Sequence, residues 1–568
     1  MSTPLLRRPL RYARSHPRTV VMMVAAAFSG PVLVGGKDAA PERAIGSSGP
    51  ILSAGPNDSS VIGSPELPHS PRCGANGPVI WLRVAQRPAA APIALFQSAG
   101  IPVCVVTKST QAFRHPLVLS WPYTRFTKKQ RLQVLSYVQR GGLFLAVAPT
   151  LRARGLIGLG GFRGGYFKRL ENVPELGYVG SSRLRDRQIL ALRRFWSSHL
   201  GGFRLGDAPD GRKAAIVILH DVRNPKALRR ALVTAKREHA SGVRATYVIE
   251  PKQFADSRGG SLAADETELA TLKATLKVIV GTGSTIASGG LVGGPLQHAS
   301  LGTGIESYPS YSPSYVGPSA PASDTVFGEL RVSRHELGDL VGTLPSAFRG
   351  EGGRTGHHFA AALEASGYFA DATLTRNAAG GAFPFLQSEH GGGVRSVLRF
   401  PVSFESLPQE RRLGAFEQAI RANVKIGAPT VVAINLNGSS DTLRDELRIV
   451  RAHKLWVGSL DELSGFLRTR STIGIDAQPL DAADMVWQIK LSSDAKVVGQ
   501  SIVSPFKLAR ATDQKNRRLR IVDRNRVVIP TFTGKLKIEL VRAPLKAVPY
   551  HQKRLKKAHP APWKSGRL

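Results

Sequence analysis

An imidazole and a carboxylate stand side by side at His220 and Asp221, closing the apolar run from Ala214 to Leu219. An imidazole titrates near neutral pH and can serve as a base, and both groups can ligate a metal. The remaining histidines offer less. His357 and His358 follow a turn at a predicted helix start, where a boundary or hydrogen-bonding role dominates. His390, beside Glu389 in a Gly-rich turn, has no ligand spacing. Two cysteines among 568 residues exclude a disulfide framework and every multi-cysteine zinc or iron–sulfur site. Cys73 and Cys104 read either as one bridge in an oxidising compartment or as two thiols, with Cys104 buried in a strand.

The elements around His220-Asp221 come in a fixed order. The strand is followed by an amphipathic helix from Lys226 to Glu238, and then by Gly242-Val-Arg-Ala-Thr-Tyr-Val-Ile249. Further on stand Gly283-Ser-Thr-Ile286-Ala-Ser-Gly289, a predicted helix from Glu329 to Leu340 and the turn Ala347-Phe348-Arg349-Gly350. Leu363-Glu-Ala-Ser-Gly-Tyr368 with Asp371 comes next, and Trp456-Val-Gly-Ser-Leu-Asp-Glu-Leu463 closes the series. In this order the segments resemble the polysaccharide deacetylase (NodB-homology, carbohydrate esterase) family over about residues 206 to 470. They stand where that family has T-F-D-D-G, A-T-F-F-V, G-H-E-I-G-x-H, G-F-R-x-P, L-x-x-x-G-Y-x-x-D-x-S and W-x-G-T-L-x-E-L.

The resemblance implies a (β/α) barrel that removes acetyl groups from an amino-sugar polymer. A divalent metal would polarise the amide and acidify a water, with flanking groups moving the protons. Carried over position by position, Asp221 takes the metal-ligand place and His220 replaces the base carboxylate. The two ligand histidines fall on Gly289 and Gly293, which have no side-chain donor. Arg349, which orients the base in the family, is expected to pair with Asp221 or Glu351. After the apolar run Val431 to Ile434, where the family has its acid histidine, this chain reads Asn435-Leu-Asn437, and an amide does not titrate. Asp371, Asn437 and Glu351 are the expected substrate contacts. One carboxylate cannot hold a catalytic metal, since three protein ligands are usual. A rebuilt site for zinc would need His298, in the Gly/Ser/Pro/Tyr-rich insertion of about residues 287 to 325, together with His220 and Asp221. In the same insertion Tyr308, Tyr311 and Tyr315 read as sugar-stacking aromatics or as loop filler.

The flanks set the context. Five arginines from Arg7 to Arg18 precede an apolar run from Thr19 to Val34, so residues 1–36 read as an export signal or a retained anchor. Residues 37–76 read as a flexible linker. Residues 77–205 alternate strands with helices and imply a doubly wound accessory domain of flavodoxin- or amidotransferase-like pattern. Its helix opens at Thr127 and is expected to turn Leu132, Leu135 and Val138 inward. It has no nucleophile elbow and no phosphate loop, which favours a packing role. Residues 471–545 alternate as a small β-sandwich-like module, and 546–568 form a basic tail, a solvated face or an electrostatic hook.

With 42% hydrophobic residues the chain is neither disordered nor fibrous, and 78 Lys+Arg against 40 Asp+Glu leave a charge of +38. Such a field attracts acidic polysaccharide or anionic membrane, and nucleic acid is the less expected partner. The sequence therefore predicts an exported envelope protein, periplasmic or anchored, that binds glycan with a degenerate catalytic site. The alternatives are an active N-deacetylase with a rebuilt metal centre and a basic polyanion- or membrane-binding protein.

Overall fold

The computed structural model describes residues 77–82, 90–121, 126–148, 166–171, 182–199, 202–251, 266–291, 325–353, 358–376, 381–388, 394–405, 409–436, 440–481 and 485–544, with a few isolated positions between them. The expected signal, linker and basic tail lie outside these residues.

The first described region is a five-stranded parallel sheet: β1 (Pro78–Leu82), β2 (Cys104–Val106), β3 (Leu117–Trp121), β4 (Leu143–Ala148) and β5 (Tyr166–Glu171). Its order is β2-β1-β3-β4-β5. Helices α1 (Ala90–Ala99), α2 (Ser109–Ala112), α3 (Lys128–Gln139) and α4 (Ser182–His199) accompany it. Ile80 and Leu119 pack with Phe96 of α1 and Ile189 of α4, whereas Val79 and Val118 pack with Val134 and Val138 of α3. Alternation along the strands thus feeds two apolar layers, one on each face. Thr127 caps α3 through a reciprocal bond with Gln130. Leu132 departs from expectation: it is 59% exposed, and Val134, Tyr137 and Val138 carry the buried stripe. Cys104 is buried and disulfide-bonded, and the chain's other cysteine is Cys73.

After β6 (Arg204–Leu205), strands and helices alternate: β7 (Ala215–Val222), α5 (Pro225–Ala240), β8 (Thr246–Ile249), α6 (Glu266–Gly281), β9 (Thr285–Ser288), α7 (Val326–Val341), β10 (Ala347–Phe348), α8 (Phe359–Ala365) and β11 (Ala370–Asp371). There follow β12 (Phe385–Ser388), β13 (Val394–Arg399), β14 (Val402–Glu405), α9 (Gln409–Ile426), β15 (Thr430–Asn435), α10 (Ser440–Ala452), β16 (Trp456–Val457) and α11 (Leu460–Ser471). The sheet runs β12-β13-β11-β10-β9-β8-β7-β15-β14, with β16 on β7, and every pairing is parallel except β12 with β13. Among the described residues its two ends do not pair, so the expected barrel is an open, curled sheet.

The sheet's two faces carry different residues. Ile216, Ile218 and Tyr247 meet the outer helices through Leu228, Leu276, Phe416 and Leu447. The inner face carries Ala215, Ala287, Ala347, Ala370 and Ala433 beside Val217, Leu219, Val248 and Val431, and α11 packs against it with Leu460, Leu463 and Leu467. Ser459 and Glu462 form a capping box at the start of α11, which gives the closing Trp-x-Gly-Ser-Leu-x-Glu-Leu segment a physical role.

The last region holds β17 (Gly474–Pro479), β18 (Val486–Val497), β19 (Ser501–Val503), β20 (Leu508–Asp513), β21 (Ile521–Val522), β22 (Arg526–Val528) and β23 (Phe532–Arg542). Two antiparallel sheets, β17-β18-β23-β20 and β21-β22-β19-β6, contribute to one apolar cluster that includes Ile489, Ile538, Ile502 and Val527. β6 precedes the α/β region in sequence yet pairs here with β19.

Candidate functional site

Strand alternation decides what the His220-Asp221 pair can do. Even-numbered residues of β7 face the outer helices, so His220 points into that layer and is fully buried. Its Nε2 lies 2.8 Å from Oε1 of Glu238 on α5, and the Tyr247 hydroxyl donates to the other carboxylate oxygen at 2.7 Å. Burial lowers the imidazole's proton affinity, but the Glu238 carboxylate outweighs it, helped by Glu446 and the Ile434 carbonyl, and the pKa is raised. An imidazole sealed against a carboxylate with no exposed surface has no route to a substrate. The placement therefore corrects the expected base role of His220: one residue of register puts it on the wrong face.

Asp221 faces the other way, at the C-terminal edge of the sheet, and is partly exposed. Arg349, directly after β10, donates to it from Nε at 2.9 Å and from Nη2 at 3.4 Å. The same guanidinium donates to the Ala372 carbonyl at 3.1 Å and to Glu405 at the end of β14 at 3.4 Å. Asp221 and Arg349 thus share one cleft, as expected, joined by Glu405. Beside them Arg223 bridges Glu250 at 3.3 Å and Glu351 at 2.5 Å. Glu351 stands at the rim, half-exposed and paired with Arg223.

Glu250, the residue after β8, was not predicted, although a carboxylate at the C-terminal end of a strand in such a fold is a signal in itself. It is 4% exposed. Burial, opposed by Arg223 and reinforced by Glu351, Asp221 and Glu329, pushes its pKa up to about 8. A Cβ built on Gly289 would lie 2.7 Å from Glu250 Cγ, and one on Gly293 would collide with its carboxylate. The side chain occupies the space beside the two glycines that stand where the resemblance implies ligand imidazoles. The donors present do not fit the implied zinc. Asp221 is held by Arg349, His220 faces away, and Gly289 and Gly293 lack donor atoms. Among the described residues no group of three or more His, Cys, Asp or Glu side chains is arranged to hold a metal ion.

The other expectations separate. Asp371 is 1% exposed and saturated: Arg399 Nε donates to it at 2.7 Å, and the backbone N–H and hydroxyl of Thr373 donate at 2.9 and 2.5 Å. It braces the end of β11 and has no surface for substrate, which corrects that expectation. His298, Asn437, His357, His390, Tyr308, Tyr311 and Tyr315 lie outside the described residues. His358 is exposed at the N-terminus of α8 and makes no capping bond.

No protein-family model matches the chain, and no curated protein matches it in sequence. Solved structures do. A Mycobacterium smegmatis protein assigned to the polysaccharide deacetylases is 15% identical over 46% of this chain and 93% of its own, with a TM-score of 0.32. A family 4 acetyl xylan esterase from Clostridium thermocellum, solved with a cobalt ion, is 11% identical over 44% of this chain and 89% of its own, with a TM-score of 0.28. A CE4 family pseudoenzyme from Bacillus anthracis is 12% identical over 45% of this chain and 66% of its own, with a TM-score of 0.26. These likenesses concern the course of the chain alone, and nothing about chemistry follows from them.

Proposed function

We propose that this protein is an exported, polysaccharide deacetylase-like protein whose cleft binds a glycan without hydrolysing it through a bound metal. The observation that carries this reading is the Glu250 side chain packed against Gly289 and Gly293. Metal-assisted deacetylation needs a cation with an open coordination position. Here a largely protonated carboxyl, a guanidinium-locked Asp221 and two bare glycines stand instead. What the cleft offers is Arg223, Glu351, Arg349 and Glu405, a set of donors and acceptors suited to sugar hydroxyls. Because this edge is rich in carboxylates, the chain's surplus positive charge must act elsewhere on the surface if the polymer is acidic. The five-stranded region, with helices on both faces and no phosphate loop, serves as a doubly wound packing module, and the paired antiparallel sheets serve as a sandwich-like one. The disulfide at Cys104 supports an oxidising compartment and hence export.

The test is made with the full chain, an N-acetylated amino-sugar polymer and added zinc. Retention on the polymer is expected, weakened severalfold by Arg223→Ala or Glu351→Ala, with no acetate released above the blank. Zinc bound one per chain, with acetate release lost in His298→Ala, overturns the reading in favour of a rebuilt hydrolase. Retention that vanishes with moderate salt and ignores both cleft variants overturns it in favour of a polyanion binder.

A further inference from the structure

A second concavity lies at the opposite end of the α/β sheet from the Asp221 cleft, where all three regions meet. Its volume is about 420 Å³, and its wall combines Ser98 of α1, Phe385 and Leu398 of β12 and β13, Arg468 and Arg470 of α11, and Ala495 of β18. This size is within the range of small-ligand sites.

The charge in the wall is unbalanced. Asp207 accepts from Arg193 at 2.5 Å and from Arg204 at 2.9 Å, and Arg470 stands 3.6 Å away. Three guanidiniums on one carboxylate leave two positive charges in excess, with Arg470 lining the cavity and Arg193 and Arg204 standing behind it. Asp207 is the only acid among the described lining residues. Arg468 adds a further charge: its guanidinium lies 4.2 Å above the Phe369 ring, and no carboxylate pairs with it among the described residues. Two further acids stand behind the wall: Asp186 accepts from the backbone N–H groups of Ala382 and Phe383, and Glu364 accepts from the backbone N–H of Ser396 at 2.9 Å. Buried like charges without counter-ions are costly. Consistent with that, burial depresses Arg193 to about 9 and Arg470 to about 10, and the mutual repulsion of the guanidiniums adds to the effect. The rest of the wall, Phe383, Phe385, Leu386 and Leu398, is apolar.

The geometry points to a binding site for a small organic anion with an apolar body, its carboxylate or phosphate against Arg468 and the Asp207 arginine cluster, its hydrocarbon on the phenylalanines. An anion there neutralises the surplus charge and fills the apolar remainder, so one ligand class answers both features. A neutral hydrocarbon would leave the charge uncompensated, and inorganic phosphate would leave the apolar wall empty. The site is independent of the cleft, and its loss would not touch the glycan reading.

Calorimetric titration of the full chain at physiological salt tests it with 1-naphthoate, decanoate, 1-naphthyl phosphate and the uncharged 1-naphthylmethanol. At least one of the three anions is expected to bind one per chain, and the alcohol at least tenfold more weakly. Arg468→Met, which keeps the stem and removes the charge, is expected to weaken anion binding at least tenfold. Leu398→Trp, which fills the cavity, is expected to abolish it with the circular dichroism spectrum unchanged. A preference for naphthoate or for decanoate tells a flat from an extended body, and a preference for naphthyl phosphate a phosphate head. No binding by any of the anions overturns the site. So does equal affinity for the alcohol, multi-site binding that salt suppresses, or binding that survives Leu398→Trp.

Discussion

His220 and Asp221 are neighbours on one strand and have opposite fates. On the helix side His220, Glu238 and Tyr247 form a closed set with no access to solvent. On the cleft side Asp221, Arg349 and Glu405 form an open set at the sheet's edge, with Glu405 50% exposed. The residue types are similar, but burial decides their use. A sealed ion pair contributes to which structure is adopted, whereas an open one can exchange its partner for a ligand hydroxyl.

The contrast is broken most severely from the closed side. Glu238→Ala leaves a buried imidazole and a buried phenol without their acceptor, and removing one partner of such a pair costs about 3–5 kcal/mol. Urea unfolding at pH 6 should show a loss of that size. The sign of the pH effect follows from the raised pKa of His220. In the wild type the pair's contribution is fully present below the unfolded value near 6.5 and is lost as pH rises through the folded one. Stability should therefore decline on the alkaline side in the wild type, and this decline should be shallower in the variant, which keeps only the part due to other groups. An equal slope in both proteins would remove the charged pair from the account.

Glu250 sits between the two cases, buried like Glu238 yet facing the cleft, and it gives the next largest effect. Its pKa, moved from 4.5 to about 8, makes the folded state hold a proton that the unfolded state has released. Stability then falls as pH climbs from about 4.5 through 8. At 1.36 kcal/mol per unit this corresponds to at most about 5 kcal/mol. Glu250→Gln keeps the shape and removes the titration, so it should match the wild type at pH 5 and exceed it at pH 9 by up to that amount. Equal denaturation midpoints at pH 9 would show that Glu250 is already ionised well below pH 8, with Arg223 carrying its charge.

Much of the architecture was legible because it depends on periodicity. The apolar runs at Val79, Leu117 and Leu143 are strands, Thr127 does cap its helix, and Arg349 does meet Asp221. Leu132 misled because a leucine at helical spacing reads as core, while the buried stripe of α3 runs one step over through Val134 and Val138. His220 misled for a related reason: a motif fixes neighbours in sequence, but the pleat sends them to opposite faces. Glu250 escaped because its meaning lies in two glycines some forty residues away, a long-range complementarity that spacing does not carry. Asp371 looked like a contact and proved a brace, since Arg399 and Thr373 reach it only in the folded chain.

Complementarity between Glu250 and Gly289 also yields a more modest prediction that isolates the plug from the cleft's charges. Gly289 is not in the left-handed region, so alanine there is opposed by contact alone, with Glu250 Cγ at 2.7 Å and Val248 Cγ1 at 3.3 Å. Overpacking of this kind costs about 1–3 kcal/mol. In a Glu250→Ala background the main obstacle is gone, and Gly289→Ala should then cost under about 1 kcal/mol. Residues in contact couple by about 0.5–3 kcal/mol in such a cycle, and distant ones add. Additive penalties in urea would mean that Glu250 does not press on Gly289, and the metal-excluding plug would lose its basis.

The smallest effect is expected at the open pair itself. Asp221→Asn removes one charge from Arg349, yet the guanidinium keeps Glu405 and the Ala372 carbonyl, and the partly exposed amide can still accept from Nε. The cost should be about 1 kcal/mol, the scale of one net hydrogen bond, several times smaller than the loss in Glu238→Ala. Glycan retention should nevertheless change in Asp221→Asn and stay unchanged in a Glu238 variant that remains folded. A loss in Asp221→Asn as large as that in Glu238→Ala would mean that Asp221 is structural, and the division of β7 into a sealed face and a working face would not hold.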